Sequence, residues 1–278
     1  MREINIHQIY YSAETRASLD RGFIGLDNMA NERPDWREYW PIRHRLLNAS
    51  LREDAYYGFF SPKFESKTKL GSAAVLDFIS ESAGSSDAVL FSPFFDQIAY
   101  PLNIFEQGAL QHPDTLRTFK ECVLAVSPQL DFESLVMDST NTVFCNYFVA
   151  KPAFWRQWLE KCEIVFRIAE AGKTGLARRL NENTSYDGGG APTKVFVIER
   201  IASLMLATEK RWKTKACNPL ALPWSDAPIS RLRLEMTFLD SLKIAYASQG
   251  HPQYLEAFHG LRRVVGQLLQ ADLGRSKG

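Results

Sequence analysis

The sequence predicts an α/β fold, a sheet flanked by helices, followed by a C-terminal pair of helices. Short strand-like runs alternate with helix-like runs through the first half of the chain. One of these runs, residues 88–91, is apolar without alternation, as a parallel strand buried on both faces is. Strand, helix and strand in this order imply right-handed crossovers. The last part of the chain shows helical periodicity, which predicts two closing helices.

The strands are predicted from short runs of β-branched, aromatic and apolar residues. Isoleucines recur through the first run, and aromatic residues fill the second, which Pro62 ends. The predicted strands are Ile4–Tyr10, Tyr56–Phe60, 88–91 and 142–149.

The helices are predicted from apolar residues that recur every three or four positions. Ser66 and Ser230 are predicted N-caps, and Pro152 stands where the first turn of a helix tolerates proline. The predicted helices are residues 36–49, 66–81, 103–110, 115–126, 153–170, 195–208, 230–248 and 254–271.

The polar segment 173–193 contains three consecutive glycines and no periodicity. A structureless stretch of this length is typical of a functional lid or a disordered segment. We expect residues 1–222 to form the sheet domain and residues 223–278 to form a helical pair packed on it.

Composition and charge exclude several classes of protein. The 278 residues include 33 Lys and Arg and 32 Asp and Glu, a net charge of +1 that is too balanced for a dedicated nucleic-acid binder. No apolar run is long enough to span a membrane, and the N-terminus lacks the apolar core of a signal peptide. The four cysteines form no C-x-x-C pair, which disfavours a zinc site, and free thiols suit the reducing cytosol. We therefore expect a cytoplasmic protein.

Two lysines follow the second predicted strand. Lys63 and Lys67 lie where a strand end, a turn and a predicted helix N-terminus meet. Free backbone N–H groups and positive side chains at such a place suit a diphosphate. The alternative is a solvated lysine pair on a loop.

Three further polar residues stand in apolar surroundings. Asp96 follows the buried strand 88–91 and is either a ligand contact or a helix cap, since ligands of open α/β sheets gather beyond the carboxyl ends of strands. Asn146 interrupts an apolar strand and must bind either backbone or a hydroxyl-rich ligand. Glu199 lies on an apolar helix beside the small residues Ala202 and Ser203. It is either a general base whose pKa burial raises or the partner of a buried arginine.

With these segments assembled, the chain resembles bacterial glycosyltransferase-like proteins of polysaccharide and O-antigen loci, over most of residues 4–220. The stretches that carry the resemblance are residues 7–11, 58–64 with 67–68, 87–93, 145–149 and 198–200. The resemblance implies a GT-A-like mixed sheet and a nucleotide-sugar donor, with a glycan or a lipid-linked hydroxyl as acceptor.

The same resemblance implies roles for individual residues. Tyr10, Tyr11 and Ser12 would lie near the nucleotide, and Lys63 and Lys67 would meet the diphosphate. Glu199 would stand where such enzymes often place a base, and the glycine loop 186–192 would close over the ligands. If the amide of Asn146 binds a hydroxyl-rich ligand, we expect that ligand to be the sugar or the acceptor.

One departure from that pattern concerns the metal. The chain contains no Asp-x-Asp, the pair of carboxylates with which GT-A enzymes hold a divalent ion against the diphosphate. Lysines then replace the metal, or Asp96 serves alone, or the activity is lost. We favour metal-independent chemistry, with a divalent metal as the alternative and no other cofactor expected. A non-catalytic binding or partner module of a polysaccharide assembly system, and another nucleotide-using transferase or hydrolase, are the alternative functions.

The C-terminal helices each carry an apolar stripe. We expect these stripes to pack on each other and on the domain. A dimer or a peripheral membrane contact, aided by the basic cluster at residues 210–215, is the alternative.

Overall fold

A six-stranded mixed sheet forms the centre of the computed structural model, which describes residues 3–82, 84–186 and 189–275. Its strands are β1 (Ile4–Tyr10), β2 (Ile24–Asp27), β3 (Tyr56–Phe60), β4 (Ala88–Leu90), β5 (Phe148–Ala150) and β8 (Thr214–Ala216). A separate hairpin consists of β6 (Asn183–Tyr186) and β7 (Gly189–Pro192). The strand order in the sheet is β2-β1-β3-β5-β4-β8, and β5 runs antiparallel to its two neighbours while the other pairs are parallel. The predicted α/β class is therefore confirmed, and the sheet is mixed.

Helices cover both faces of this sheet. The helices are α1 (Ala13–Ala17), α2 (Tyr39–Asn48), α3 (Phe64–Thr68), α4 (Ser72–Ser82), α5 (Phe95–Ala99), α6 (Ile104–Gln111), α7 (Leu116–Val126), α8 (Pro152–Ala171), α9 (Gly175–Asn181), α10 (Thr193–Thr208), α11 (Arg233–Gln249) and α12 (Gln253–Arg275). Side chains of β3 alternate between two apolar clusters: Tyr57 and Phe59 pack in the one that contains α2, α7, α8 and α10, and Tyr56 and Phe60 pack in the one that contains α4. This burial on both faces explains why the central strands read as continuous apolar runs.

The C-terminal helices α11 and α12 pack on each other and on α5 through a third apolar cluster. Buried polar contacts reinforce this junction. Lys243 of α11 donates to the carbonyls of Ile98 (2.7 Å) and Pro101 (2.9 Å) at the end of α5. The carboxylate of Asp240 accepts hydrogen bonds from the backbone N–H (2.9 Å) and the hydroxyl (2.6 Å) of Ser139. No helix among the described residues has the length and apolar character needed to cross a membrane.

Several predicted elements have different bounds. The predicted helix 66–81 is divided into α3 and α4 by Lys69, which adopts the left-handed conformation (φ +60°). Ser66 is not an N-cap; it lies within α3, where its hydroxyl donates to the carbonyl of Lys63. Ser230 also caps no α-helix, because it belongs to the 3-10 turn Pro228–Arg231. The predicted strand 142–149 shortens to β5, since the loop before it bonds to side chains: Ser92 Oγ donates to the Thr142 carbonyl.

The segment 173–193, predicted to be structureless, contains α9 and the hairpin β6–β7. Thr174 caps α9 by accepting from the N–H of Ala177, and Ala177 and Leu180 are buried. The glycine loop 186–192 supplies β7, while Asp187 and Gly188 lie outside the described residues. The basic cluster 210–215 contributes part of the edge strand β8, which pairs with β4.

Candidate functional site

A cleft of about 340 Å³ lies at the carboxyl ends of three adjacent parallel strands. Tyr11 follows β1, Asn28 follows β2, and Ser61 and Pro62 follow β3, and all four residues line the cleft. Connections leave this part of the sheet toward opposite faces: α2 follows β2 on one face and α4 follows β3 on the other. Crevices at such switch points are the usual ligand sites of open α/β sheets, and this volume lies within the range of small-molecule pockets.

Two walls of the cleft come from segments distant in sequence. One wall is the turn from Pro34 to Tyr39, which leads into α2, and the other is the first half of α10, with Val195, Phe196 and Glu199. Residues 145–146, in the loop that leads into β5, complete the lining together with Ala191 of β7.

Polar contacts fix the turn wall to the rest of the domain. Trp36 donates its indole N–H to Glu170 Oε1 at 3.0 Å, and Arg33 forms an ion pair with the same carboxylate at 2.7 Å. Lys194, at the start of α10, is 3% exposed and bonds to Asp35 at 2.5 Å. Although burial opposes it, the hydrogen bonds from Arg33 and Lys194 hold the pKa of Asp35 at about 2. The two walls are therefore joined to each other by an ionised pair beneath the cleft lining.

Three cationic side chains line the cleft: Arg37, Lys63 and Lys67. The ammonium group of Lys67 donates to Cys145 Sγ at 3.1 Å, which places this charge against residues 145–146. Lys63 and Lys67 were predicted from the sequence to share one anion-binding region, and the structure brings both to this cleft. The Lys63 end of α3 adds little to that region, because a helix of five residues has only a small dipole.

Glu199 projects from α10 into the same cleft and is partly exposed there. Burial raises the pKa of its carboxyl, and Glu38 raises it further, whereas the positive charges of Arg200, Lys67 and Arg37 act against this increase. A carboxyl with a raised pKa beside a cleft is suited to accept a proton near neutral pH.

The alternative role of Glu199, as partner of the neighbouring arginine, does not fit the contacts. Arg200 points to the opposite side of α10, where it donates to the carbonyls of Ile104 (3.0 Å) and Phe196 (2.7 Å) and to Gln107 Oε1 (3.1 Å). The guanidinium thus bonds to neutral acceptors on that side of α10, and the Glu199 carboxylate lines the cleft on the other side.

Asn146 lines the cleft and is 4% exposed. Its Oδ1 is buried and has no hydrogen-bond partner among the described residues. The sequence left open whether Asn146 binds backbone or a ligand, and its amide oxygen accepts no hydrogen bond from the backbone of the described residues. Buried polar atoms in proteins nearly always have a hydrogen-bond partner, so a buried oxygen without one, beside a cleft, indicates that a ligand supplies the donor.

The backbone of the cleft lining is strained. Seven non-glycine residues of the described chain have positive φ, and four of them line the cleft: Asn31, Arg37, Cys145 and Asn146. Such conformations cost energy and cluster at ligand sites.

Three predicted donor-site residues do not line the cleft. Tyr10 is buried and its hydroxyl bonds to Asp27, so the side chain turns away from Tyr11, which is 44% exposed and does line the cleft. Ser12 is the N-cap of α1, with its hydroxyl accepting from the N–H of Thr15. Asp96 is fully buried and accepts hydrogen bonds from the N–H (2.9 Å) and hydroxyl of Ser225, on the segment that leads to the C-terminal helices. Asp96 therefore serves the packing of those helices, not a donor ligand.

Sequence reasoning missed the residues of the turn wall and of the loop after β2. Arg37 and Glu38 were placed inside a predicted helix 36–49, whereas α2 begins at Tyr39 and leaves both residues in the cleft lining. Pro34 could have indicated the later start of α2, because proline favours the first turn of a helix and here begins a separate 3-10 turn before α2. Asn28 and Asn31 were missed because the edge strand β2 was not predicted.

The donors that the described residues supply to this cleft do not fit a divalent ion. Among them the carboxylates are Glu38 and Glu199, and three cationic side chains accompany these two. Among the described residues, no cluster of three or more His, Cys, Asp and Glu side chains is suited to hold a metal.

Comparison of the chain with protein-family models, with curated proteins and with solved structures found no match, so the site is interpreted from its own geometry.

Proposed function

We propose that the protein is a glycosyltransferase that moves a sugar from a nucleotide-diphosphate donor to a hydroxyl of a glycan or lipid-linked acceptor. The observation that carries this proposal is the convergence of Lys63, Lys67 and Glu199 on one cleft at the carboxyl ends of β1, β2 and β3. The mixed sheet flanked by helices supports the GT-A-like interpretation of the fold.

The cations of the cleft suit the phosphate end of such a donor. A diphosphate gains negative charge when the bond between the sugar and the phosphate oxygen breaks. Arg37, Lys63 and Lys67 then stabilise this charge more strongly than that of the intact donor, which is the condition for lowering the barrier. Ammonium and guanidinium groups also form charge-assisted hydrogen bonds to phosphate.

Glu199 is suited to act as the base that activates the acceptor hydroxyl. Its carboxylate takes the proton from the acceptor hydroxyl as the oxygen attacks the anomeric carbon, and the electron pair of the broken bond passes to the leaving diphosphate. The transition state has oxocarbenium character, by analogy with glycoside hydrolysis. The raised pKa of Glu199 brings its basicity closer to that required of a base at neutral pH.

The test is a turnover assay with a panel of nucleotide sugars and hydroxyl acceptors, for the wild type and Glu199→Gln. We expect Glu199→Gln to lower kcat at least 100-fold and to keep donor affinity within about threefold, because the base acts only in the chemical step. Glu81→Gln, at an exposed position on α4, is the matched control and should retain the wild-type rate.

Other outcomes separate the alternatives. Full turnover by Glu199→Gln contradicts the assigned base. Donor binding without turnover for every acceptor indicates a binding module, and donor cleavage without acceptor indicates a hydrolase.

A further inference from the structure

The unsatisfied amide of Asn146 specifies the chemistry of the group that meets it. The Oδ1 atom is an acceptor that lacks a donor among the described residues, and the amide carries two N–H donors beside it. A ligand group with both a donor and an acceptor fits this amide, and two neighbouring hydroxyls of a sugar ring provide both. A phosphate does not, because its oxygens only accept.

The position of Asn146 relative to the cations determines which part of a donor reaches it. Lys67 contacts Cys145 Sγ at 3.1 Å, and Cys145 and Asn146 are adjacent in the chain, with Cα atoms about 3.8 Å apart. A phosphate bound by Lys67 therefore places the directly attached sugar next to Asn146, with Glu199 lining the same cleft.

The loop holds this amide in a fixed place. Cys145 and Asn146 both have φ of +55°, a conformation that asparagine tolerates better than most residues. Side-chain hydrogen bonds fix the preceding loop: Val143 N–H donates to Ser203 Oγ at 2.8 Å, and Phe144 N–H donates to Ser92 Oγ at 3.2 Å. A rigid, desolvated amide discriminates strongly between ligands that satisfy it and ligands that leave it unpaired.

We propose that Asn146 determines the specificity for the transferred sugar, by accepting from one ring hydroxyl through Oδ1 and donating to its neighbour through Nδ2. This inference rests on the proposed function, since it requires a sugar attached to a diphosphate bound by Lys67.

The experiment compares wild type with Asn146→Gly and Asn146→Asp. Glycine adopts positive φ without strain and removes the amide, whereas aspartate tolerates the conformation and keeps an acceptor but loses the N–H donors. Each protein is assayed with intact donors and with donors that lack one ring hydroxyl, and its affinity for the nucleoside diphosphate alone is measured by calorimetry.

We expect two adjacent deoxy positions to lower the wild-type kcat/KM by about 10- to 100-fold each. In Asn146→Gly both penalties should disappear, and in Asn146→Asp the penalty for the hydroxyl that accepts from Nδ2 should disappear. Affinity for the nucleoside diphosphate alone should stay within twofold in Asn146→Gly, which also shows that this variant folds. Asn146→Asp adds a negative charge beside Lys67, so it should weaken binding of the nucleoside diphosphate and of every donor alike, and its deoxy penalties are therefore compared as ratios to the intact donor.

Two failures are distinguishable. If the nucleoside diphosphate binds and the deoxy penalties are the same in wild type and Asn146→Gly, the role of Asn146 is refuted and the proposed function stands. If the wild type binds no nucleoside diphosphate, the proposed function fails and this inference fails with it.

Discussion

A buried lysine at the junction of the C-terminal helices allows a quantitative prediction. Lys243 is fully buried, and its ammonium group donates to two carbonyls at the end of α5. Burial lowers the pKa of Lys243 to about 8 from an ordinary value of 10.5. Of the charged groups around it, Asp240, Asp138 and Glu106 raise this pKa, and Arg262 lowers it.

The sign of the effect on stability follows from proton uptake. Between pH 8 and 10.5 the unfolded chain holds a proton on Lys243 that the folded chain has lost, so the free energy of unfolding increases with pH in this window. A difference of 10.5 − 8 = 2.5 in pKa corresponds to about 3 kcal/mol, at about 1.4 kcal/mol per unit.

The assay is urea unfolding of wild type and Lys243→Met from pH 7 to 11. Other groups that titrate contribute to both proteins, so the difference between the two curves isolates Lys243. We expect wild type to gain about 3 kcal/mol relative to the variant across this range. A difference that does not change with pH would refute the burial of a charged lysine at this junction.

Three further predictions concern carboxylates. Glu199→Gln should raise the free energy of unfolding at pH 7, by about 1.4 kcal/mol for each unit by which the pKa of Glu199 is raised in the folded protein. This gain should vanish below about pH 4.3, the ordinary pKa of a glutamate in the unfolded chain. A lower free energy of unfolding for the variant at pH 7, measured by urea unfolding, would contradict this. Glu38→Gln should move the acidic limb of the kcat/KM profile to lower pH, because the charge of Glu38 raises the pKa of Glu199; an unmoved limb contradicts the coupling. Asp96→Ala should cost about 3 kcal/mol in stability by leaving two donors of Ser225 unpaired, whereas the exposed control Asp77→Ala changes it by under about 0.5 kcal/mol. Calorimetry should find the nucleotide affinity of Asp96→Ala unchanged, and a weakened affinity with intact stability would restore Asp96 to the donor site.

The parts of the fold that the sequence predicted are those with strong apolar patterns. Strands β1 and β3 have the predicted bounds, because their side chains are mostly buried and the sequence therefore shows an apolar run of the same length. The strand β2 was missed because it is an edge strand whose residues are mostly exposed, so it lacks an apolar pattern. The helix α9 was missed because it is short and precedes three consecutive glycines, which predicted an irregular segment.

The candidate site was predicted where a charged residue follows a strand or interrupts an apolar helix, and it was missed in the turn before α2 and in the loop after β2. Lys63 and Lys67 were predicted because they follow the end of a strand, and Glu199 was predicted because a carboxyl group interrupts an apolar helix. Arg37 reaches the cleft through a backbone with positive φ before α2, and no local pattern predicts that conformation for arginine. Asp96 was assigned wrongly because its partner, Ser225, is distant in sequence.

The measurement that bears most directly on the proposed site is calorimetric titration of nucleoside diphosphates into wild type and the double variant Lys63→Met/Lys67→Met. Lys210→Met, exposed and outside the cleft lining, is the control. We predict that wild type and control bind a nucleoside diphosphate with equal affinity, and that the double variant binds it at least 10-fold more weakly, because two cations that contact phosphate are lost. Absence of binding to the wild type, or equal binding by the double variant, would contradict the assignment of this cleft to a nucleotide-diphosphate donor.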